Sequence, residues 1–196
     1  RPVQMKRHLQ RLEGQKCKLG RVIVVASGQD LKDVVLDFKN RLPVEYYRSE
    51  PGQIRQRNLG MSKLDEGTKL VAAMDDDVIY HEDAVVEMIR FWNGVEPDTA
   101  GVGFNIINLP KLKYNWVRCL LGFSSTKPGK VLKSGFNTSI SNISENIKVQ
   151  WLNGGSSVWM QEILLNNPMQ KINTSWAVCE DLIFSFPLGK QYPLYV

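Results

Sequence analysis

The chain has 196 residues, of which 43% are hydrophobic and 23% are charged, and this composition is typical of one globular domain with a substantial core. No apolar run approaches the ~20 residues that a transmembrane helix needs, and the three cysteines are too widely spaced for a disulfide framework or a zinc site. The net charge of +5 is mild and comes with no nucleic-acid-binding motif, so no nucleic-acid partner is expected. A reducing cytoplasm is the expected compartment.

Helices and strands alternate through the first half of the chain. Apolar residues at helical spacing predict helices at 3–12, 31–42, 53–66 and 85–92, and β-branched or apolar runs predict strands at 21–26, 44–48 and 69–74. This alternation is typical of a parallel α/β sheet. The first half, residues 1–99, therefore has the organisation of a nucleotide-binding unit.

The second half, residues 100–196, is less regular. Strands are predicted at 100–107 and 149–152 and a helix at 160–166, whereas residues 111–146 are polar, rich in glycine and asparagine, and show few periodic signals. Neither half carries an internal repeat, so we expect a single domain over residues 1–196.

The third predicted strand ends in three consecutive carboxylates, Asp75, Asp76 and Asp77. Residues two apart on a strand point the same way, so Asp75 and Asp77 are expected to share one target while Asp76 faces elsewhere. Paired oxygen donors suit Mg²⁺ or Mn²⁺, and such a cation usually brings a phosphate with it. The alternative is a solvated acidic turn that ends a strand.

A second acidic pair, Glu180 and Asp181, precedes the apolar residues 182–184. Adjacent carboxylates face different ways in regular structure, so at most one of them points into a given site. A carboxylate anchored beside apolar residues can act as a general base. The alternative is that both residues occupy the first turn of a helix, where acidic side chains are favoured.

The most apolar stretch, residues 116–123, lies among six basic residues: Lys111, Lys113, Arg118, Lys127, Lys130 and Lys133. One interpretation is a peripheral contact with an anionic membrane surface. The other is a solvated basic face.

Five motifs in order resemble the family-2 glycosyltransferases with the GT-A fold, in a bacterial and archaeal branch. They are the segment at residues 50–60 with its Arg-Asn pair, the acidic strand end at 75–77, residues 131–135, the Gly-Gly turn at 151–155, and the acidic segment at 180–185. The resemblance covers nearly the whole chain. It implies an α/β, GT-A-like (Rossmann-like) fold with a mixed, mostly parallel sheet flanked by helices, in which residues 100–196 form an acceptor-binding half.

The resemblance also implies roles for single residues. Donor and nucleotide contacts are implied for Arg57, Asn58, Asp75, Asp76, Gly154 and Gly155, metal ligation for Asp75 and Asp77, and catalysis for Asp181 as general base with Glu180 orienting it. The implied cofactor is Mg²⁺ or Mn²⁺. The implied reaction moves a sugar, with inversion, from a nucleotide-diphosphate donor to a hydroxyl of a glycan or lipid-linked acceptor in cell-surface polysaccharide synthesis, in the cytoplasm or at the inner face of the membrane.

Two other functions fit the same residues. A phosphatase of the haloacid dehalogenase type also places Asp-x-Asp after a buried strand, with Asp75 as nucleophile and Asp77 as acid–base group. A non-catalytic relative could bind a sugar nucleotide or glycan without turnover. The family's usual first strand and C-terminal extension are expected to lie outside this sequence.

Overall fold

A computed structural model of the chain describes residues 1–109, 115–170 and 179–196. Within these ranges the helices are α1 (Pro2–Glu13), α2 (Lys32–Leu36), α3 (Gln53–Met61), α4 (Ala84–Trp92), α5 (Trp116–Leu120), α6 (Gln161–Asn166) and α7 (Glu180–Gly189). The strands are β1 (Val22–Ala26), β2 (Val44–Arg48), β3 (Leu70–Met74), β4 (Gly101–Gly103), β5 (Lys148–Val149), β6 (Ser156–Met160) and β7 (Leu194–Tyr195). The mixed α/β class predicted from the sequence is confirmed.

The strands form two sheets. β1 and β2 pair in parallel, and the other five strands follow the order β3-β6-β4-β7-β5. β6 is antiparallel to both of its neighbours, β3 and β4, and β5 is antiparallel to β7, while β4 and β7 are parallel. The predicted mixed sheet is thus observed: β3, β4 and β7 run in one direction, and β6 and β5 run against their partners.

Three apolar cores support these sheets in the described part of the chain. The first lies between α1, β1 and α2, where Leu9, Val35 and Phe38 are almost completely buried. The second packs α6 and α7 against β6 and β7 and includes Leu152 and Trp159. The third packs α4 against β4 and β6. In each core, one face of a helix packs against one face of a sheet. The apolar residues of these elements therefore repeat at helical or strand spacing in the sequence.

The predicted elements of the first half are confirmed, although α2 and α3 are shorter than expected. α2 ends at Leu36 and is followed by turns, although Phe38 and Leu42 continue the apolar pattern into the core. In the second half β6, β7 and the short helix α5 were not predicted from the sequence. The predicted Lys111 and Lys113 positions lie outside the described residues.

The register between β3 and β6 fixes the place where the candidate site forms. Met74, the last residue of β3, pairs with Ser156, the first residue of β6. The chain leaving β3 therefore passes directly beside the turn that enters β6. Among the residues that the structure describes, no helix has both the length and the apolar character needed to span a membrane.

Candidate active site

The Gly-Gly turn lies against the carboxylate that follows β3. The Asp75 backbone N–H donates to the carbonyl of Gly155 at 2.8 Å, which continues the β3–β6 pairing by one residue. A Cβ atom at Gly155 would lie 2.7 Å from Asp75 Oδ1 and closer still to the Cγ and Oδ2 atoms. Glycine is therefore required here by space, since any side chain at residue 155 would displace the Asp75 carboxylate.

Tyr80 supports the same turn. Its hydroxyl donates to the Gly155 carbonyl at 3.2 Å, and its ring is almost fully buried against Phe104. Burial raises the pKa of Tyr80 well above its ordinary value, with the nearby Asp75 and Asp77 carboxylates adding to the effect. The hydroxyl therefore remains a hydrogen-bond donor at physiological pH.

Arg57 links the two acidic segments of the chain. Its Nη2 lies 3.3 Å from Asp75 Oδ1 and its Nη1 lies 3.7 Å from Glu180 Oε1, and the Arg57 and Glu180 side chains are only 13% and 12% exposed. Gln53 lies one turn earlier on α3, on the same face. With its amide oriented to satisfy both neighbours, Gln53 accepts from Arg57 Nη2 at 2.7 Å and donates to Glu180 Oε1 at 2.9 Å.

The turn residue Gly154 leaves room for this guanidinium. A Cβ at Gly154 would lie 3.0 Å from Arg57 Cζ and closer still to Nη1. Arg57 Nη1 is buried and has no hydrogen-bond partner among the described residues, and the same is true of the Ser156 hydroxyl. Two buried polar groups are thus available to a polar ligand at this place.

Asp181 occupies the first turn of α7, directly after Glu180. Its Oδ1 accepts from the backbone N–H of Leu182 at 2.8 Å, and its backbone carbonyl accepts from the Ser185 hydroxyl at 2.6 Å. Both acidic side chains lie at the helix N-terminus, where the helix dipole stabilises negative charge. The first-turn position suggested as an alternative is thus observed, and it does not remove Asp181 from the site.

These groups surround one cavity of about 220 Å³. It is lined by Gln53, Arg57, Asp75, Val78, Ile106, Asn153, Gly154, Gly155, Ser156, Glu180 and Asp181. Six residues predicted from the sequence therefore meet in one place although they come from four separate segments. Gln53 and Asn153 were not assigned a role from the sequence although they lie inside recognised motifs: Gln53 precedes Arg57 by one helical turn and Asn153 precedes the two glycines.

Asp76 and Asp77 lie outside this cavity. Both contact the guanidinium of Arg1, with Nη2 at 2.5 Å from Asp76 Oδ1 and at 3.0 Å from Asp77 Oδ2. They line a smaller neighbouring cavity of about 100 Å³ beside α1. The expectation that Asp75 and Asp77 share one target was wrong, because β3 ends at Met74 and the chain turns, with the Val78 N–H donating to the Asp75 carbonyl.

Asn58 has a different environment from the one expected. Its Nδ2 donates to the carbonyl of Met169 at 2.9 Å, and its Oδ1 accepts from the N–H of Met169 at 3.2 Å. Both polar groups of the amide are thereby used to hold the segment after α6, and Asn58 does not line the cavity. Within the described parts of the chain, no three acidic, histidine or cysteine side chains form a metal-binding cluster.

Known structures share this fold. TarS residues 1–349 from S. aureus are 15% identical, with a TM-score of 0.65 over 97% of this chain and 53% of that one. The mannosyltransferase PcManGT from Pyrobaculum calidifontis, solved with GDP-Man and Mn²⁺, is also 15% identical, with a TM-score of 0.55 over 85% of this chain and 43% of that one. The chain thus spans about half the length of these structures, and the GT-A-like fold is confirmed.

The comparison with curated proteins gave no match. The family model described as glycosyl transferase family 2 matches residues 4–156, which include α1, the Arg57 segment, the three carboxylates after β3 and the Gly-Gly turn. The chain therefore belongs to glycosyl transferase family 2.

Proposed function

We propose that this domain transfers a sugar from a nucleotide-diphosphate donor to an acceptor hydroxyl, with inversion and with the help of a divalent cation. The observation that carries the proposal is the cavity in which Arg57, Asp75, the Gly-Gly turn, Glu180 and Asp181 meet. Family membership supports the reaction class, and the neighbour solved with GDP-Man and Mn²⁺ supports this kind of donor and cation.

The carboxylates after β3 fit a hard cation. Asp76 and Asp77 already converge on one positive group, the Arg1 guanidinium, and Asp77 is 63% exposed. Mg²⁺ and Mn²⁺ need only one or two protein carboxylates when substrate phosphates supply further oxygens. We therefore propose Asp77 as the main ligand, with Asp76 beside it. Asp75 is the weaker candidate, since Arg57 neutralises it in the neighbouring cavity.

A bound cation would neutralise the diphosphate leaving group. The chain's own contribution is to bind and orient the donor: the Arg57 guanidinium and the Ser156 hydroxyl face the cavity with unused hydrogen-bonding capacity. The Gly-Gly turn has no side chains and so lets a sugar approach the backbone closely.

Asp181 is the proposed general base. It lines the cavity, and the side-chain hydrogen bond that it makes within the described residues is the one that Oδ1 accepts from the Leu182 N–H. We propose that Oδ2 receives the proton of the acceptor hydroxyl. Glu180 is held by Arg57 and Gln53 and is proposed to orient Asp181 and the acceptor. Removal of the hydroxyl proton by a carboxylate makes the acceptor a competent nucleophile. Asp77 follows β3 and Asp181 lies in the first turn of α7, so the proposed metal ligand and the proposed base come from different segments of the chain.

The proposed biological setting is the synthesis of cell-surface glycan, with a glycan or lipid-linked acceptor. This setting comes from the resemblance of the motifs alone. The phosphatase alternative is disfavoured, because its nucleophile and acid–base group would be Asp75 and Asp77, which here contact different arginines. A non-catalytic relative would bind the donor without transferring the sugar, and the turnover assay described below distinguishes it from an enzyme.

The first test is calorimetric binding of UDP and GDP in the presence of Mn²⁺ and in the presence of a chelator. We expect one nucleotide to bind with Mn²⁺ only, and we expect Asp77→Ala to abolish that binding. Asp37→Ala, which removes an exposed carboxylate at the end of α2, is the matched control and should bind normally. Binding to neither nucleotide, or binding that ignores both the chelator and Asp77→Ala, would contradict the proposal.

Turnover separates an enzyme from a binding module. Asp181→Asn keeps the shape of the side chain but cannot take a proton, so we expect nucleotide affinity to be retained and release of nucleotide diphosphate from the matching sugar donor to fall by about 10²-fold or more. Nuclear magnetic resonance of the product reports the anomeric configuration. A retained configuration, or equal turnover by wild type and variant, would refute the assigned role.

A further inference from the structure

An apolar helix face is turned towards solvent in the second half of the chain. Trp116, Val117, Leu120 and Leu121 follow the i, i+1, i+4, i+5 pattern, so they share one side of α5 and its C-cap. A face of this kind normally packs on a core, yet here the exposed fractions reach 66% for Trp116 and 77% for Leu120.

A hairpin extends this apolar surface. The rings of Phe123 and Phe136 pack edge to face at 5.3 Å, and both side chains are more than 40% exposed. The Ser134 hydroxyl donates to the carbonyl of Gly122, which ties the hairpin to the end of α5. We use the name apolar platform for the six side chains Trp116, Val117, Leu120, Leu121, Phe123 and Phe136.

The hairpin is fixed to the core of the domain. Gln150 Oε1 accepts from the Val131 N–H at 2.9 Å, and the buried indole of Trp151 donates to the Thr138 carbonyl at 3.1 Å. Val131 and Asn137 form the bridge that closes the hairpin. The platform is therefore held by hydrogen bonds to a buried segment, which is expected of a surface with a defined partner rather than of a frayed loop.

The segment that carries the platform bears charge of one sign. Residues 99–144 contain six basic residues and no aspartate or glutamate, so their charge of +6 exceeds the +5 of the whole chain. Arg118, Lys127 and Lys133 are exposed, and none of them has an acidic partner among the described residues. Lys111 and Lys113 contribute to the count from the sequence only.

We propose that the apolar platform and its basic surround dock on a membrane surface rich in anionic lipid. Tryptophan and leucine side chains insert at the headgroup boundary, and lysine and arginine lie above them against the phosphates. A symmetric contact between two copies is disfavoured, because it would place the same unpaired positive charges against each other. An anionic bilayer satisfies the exposed apolar area and the positive charge together.

The test is sedimentation of the 196-residue protein with vesicles of pure phosphatidylcholine and with vesicles in which about a third of the lipid is phosphatidylglycerol. We expect binding to the anionic vesicles at low salt, weaker binding at high salt, and little binding to the neutral ones. Brominated lipid should quench part of the tryptophan fluorescence, and Trp116→Ser should remove that part.

Two double variants separate the apolar contribution to vesicle binding from the electrostatic one. Trp116→Ser with Leu120→Ser should lower the partition coefficient at least about tenfold, and Lys127→Gln with Lys133→Gln should lower it about fivefold for each lysine. The changed residues are exposed, so circular dichroism and thermal melting should be unchanged.

The control variants lie on and just after α2. Leu36→Ser and the pair Lys32→Gln with Lys39→Gln change exposed residues outside the platform and should bind like wild type. No vesicle binding at low salt, or equal losses in the control and platform variants, would overturn the proposal. A concentration-dependent dimer that the platform variants abolish, without vesicle binding, would assign the surface to a second copy instead. Vesicle binding needs no donor, so its outcome is independent of the test of glycosyl transfer.

Discussion

Replacing Gly155 by alanine tests whether the Gly-Gly turn is there to leave room for Asp75. The new Cβ would lie 2.7 Å from Asp75 Oδ1 and closer to Cγ, so the carboxylate must rotate away from its position. Rotation breaks the 3.3 Å contact with Arg57, which is worth about 0–1 kcal/mol for a partly exposed pair. A strained rotamer adds about 0.5–1.5 kcal/mol. We expect a total loss of about 1–2 kcal/mol.

For a domain of this size the loss corresponds to a fall of roughly 2–8 °C in Tm, which thermal and urea unfolding can measure. Gly20→Ala is the control, because its Cβ would have no atom within 4 Å and its backbone does not require glycine. We expect Gly20→Ala to leave the free energy of unfolding unchanged or slightly raised.

A double-mutant cycle identifies the cause. In an Asp75→Ala background the Cγ and carboxylate oxygens are absent, so Gly155→Ala should cost almost nothing, and the coupling between the two changes should be about 1–2 kcal/mol. If Gly155→Ala has the same cost in both backgrounds, the overlap with Asp75 is not the reason that residue 155 is glycine. The backbone of the turn would then be the relevant constraint.

Three further changes test the surroundings of the site and the sheet. Ser185→Ala leaves the buried N–H of Leu152 without its acceptor at 3.0 Å, and should cost about 1–3 kcal/mol in urea unfolding. Arg57→Met removes the cation between two carboxylates and should lower the free energy of unfolding by about 3 kcal/mol. The control Arg55→Met changes the exposed arginine of α3 and should lower it little. Hydrogen bonds from Arg21 lower the pKa of Glu45 to about 2, so this group stabilises the fold above pH 4.5 and loses that effect as pH falls towards 2. Glu45→Gln should therefore cost roughly 0.5 kcal/mol at pH 7 and nothing at pH 2, and a pH-independent difference would contradict this assignment.

The elements of the first half were predictable because their signals are local. β1 is a run of β-branched residues, and the apolar side of α4 repeats at helical spacing. The helix limits were less predictable. α2 ends at Leu36 although its apolar pattern continues to Leu42, because turn residues can also place side chains in the core.

The missed strand β6 shows what local pattern cannot supply. Its residues are almost all buried, so neither alternation nor helical spacing is visible in the sequence. β6 exists because β3 and β4 lie on either side of it, and those pairings join residues far apart in the chain. The sense of pairing, antiparallel on both sides, likewise follows from the tertiary arrangement.

The residues of the candidate site were easier to predict from the sequence than their positions. Four residues that the motif resemblance selected line one cavity: Arg57, Gly154, Gly155 and Asp181. The alternation rule failed at Asp75–Asp77 because it holds only while the chain stays extended, and the turn after Met74 directs Asp76 and Asp77 towards Arg1. The motif therefore identified the three carboxylates, whereas the residue at which β3 ends determines the direction of their side chains.

The charge of the main cavity gives a physical reason for a cation to arrive with the donor. Among its described lining residues, three carboxylates, Asp75, Glu180 and Asp181, face the single guanidinium of Arg57. A diphosphate entering such a cavity alone would meet net negative charge at low dielectric. In the proposed reaction, a cation held by Asp77 in the neighbouring cavity beside α1 would offset that charge without altering the carboxylate proposed as base. The proposal thus assigns cation binding to the segment after β3 and proton acceptance to the first turn of α7.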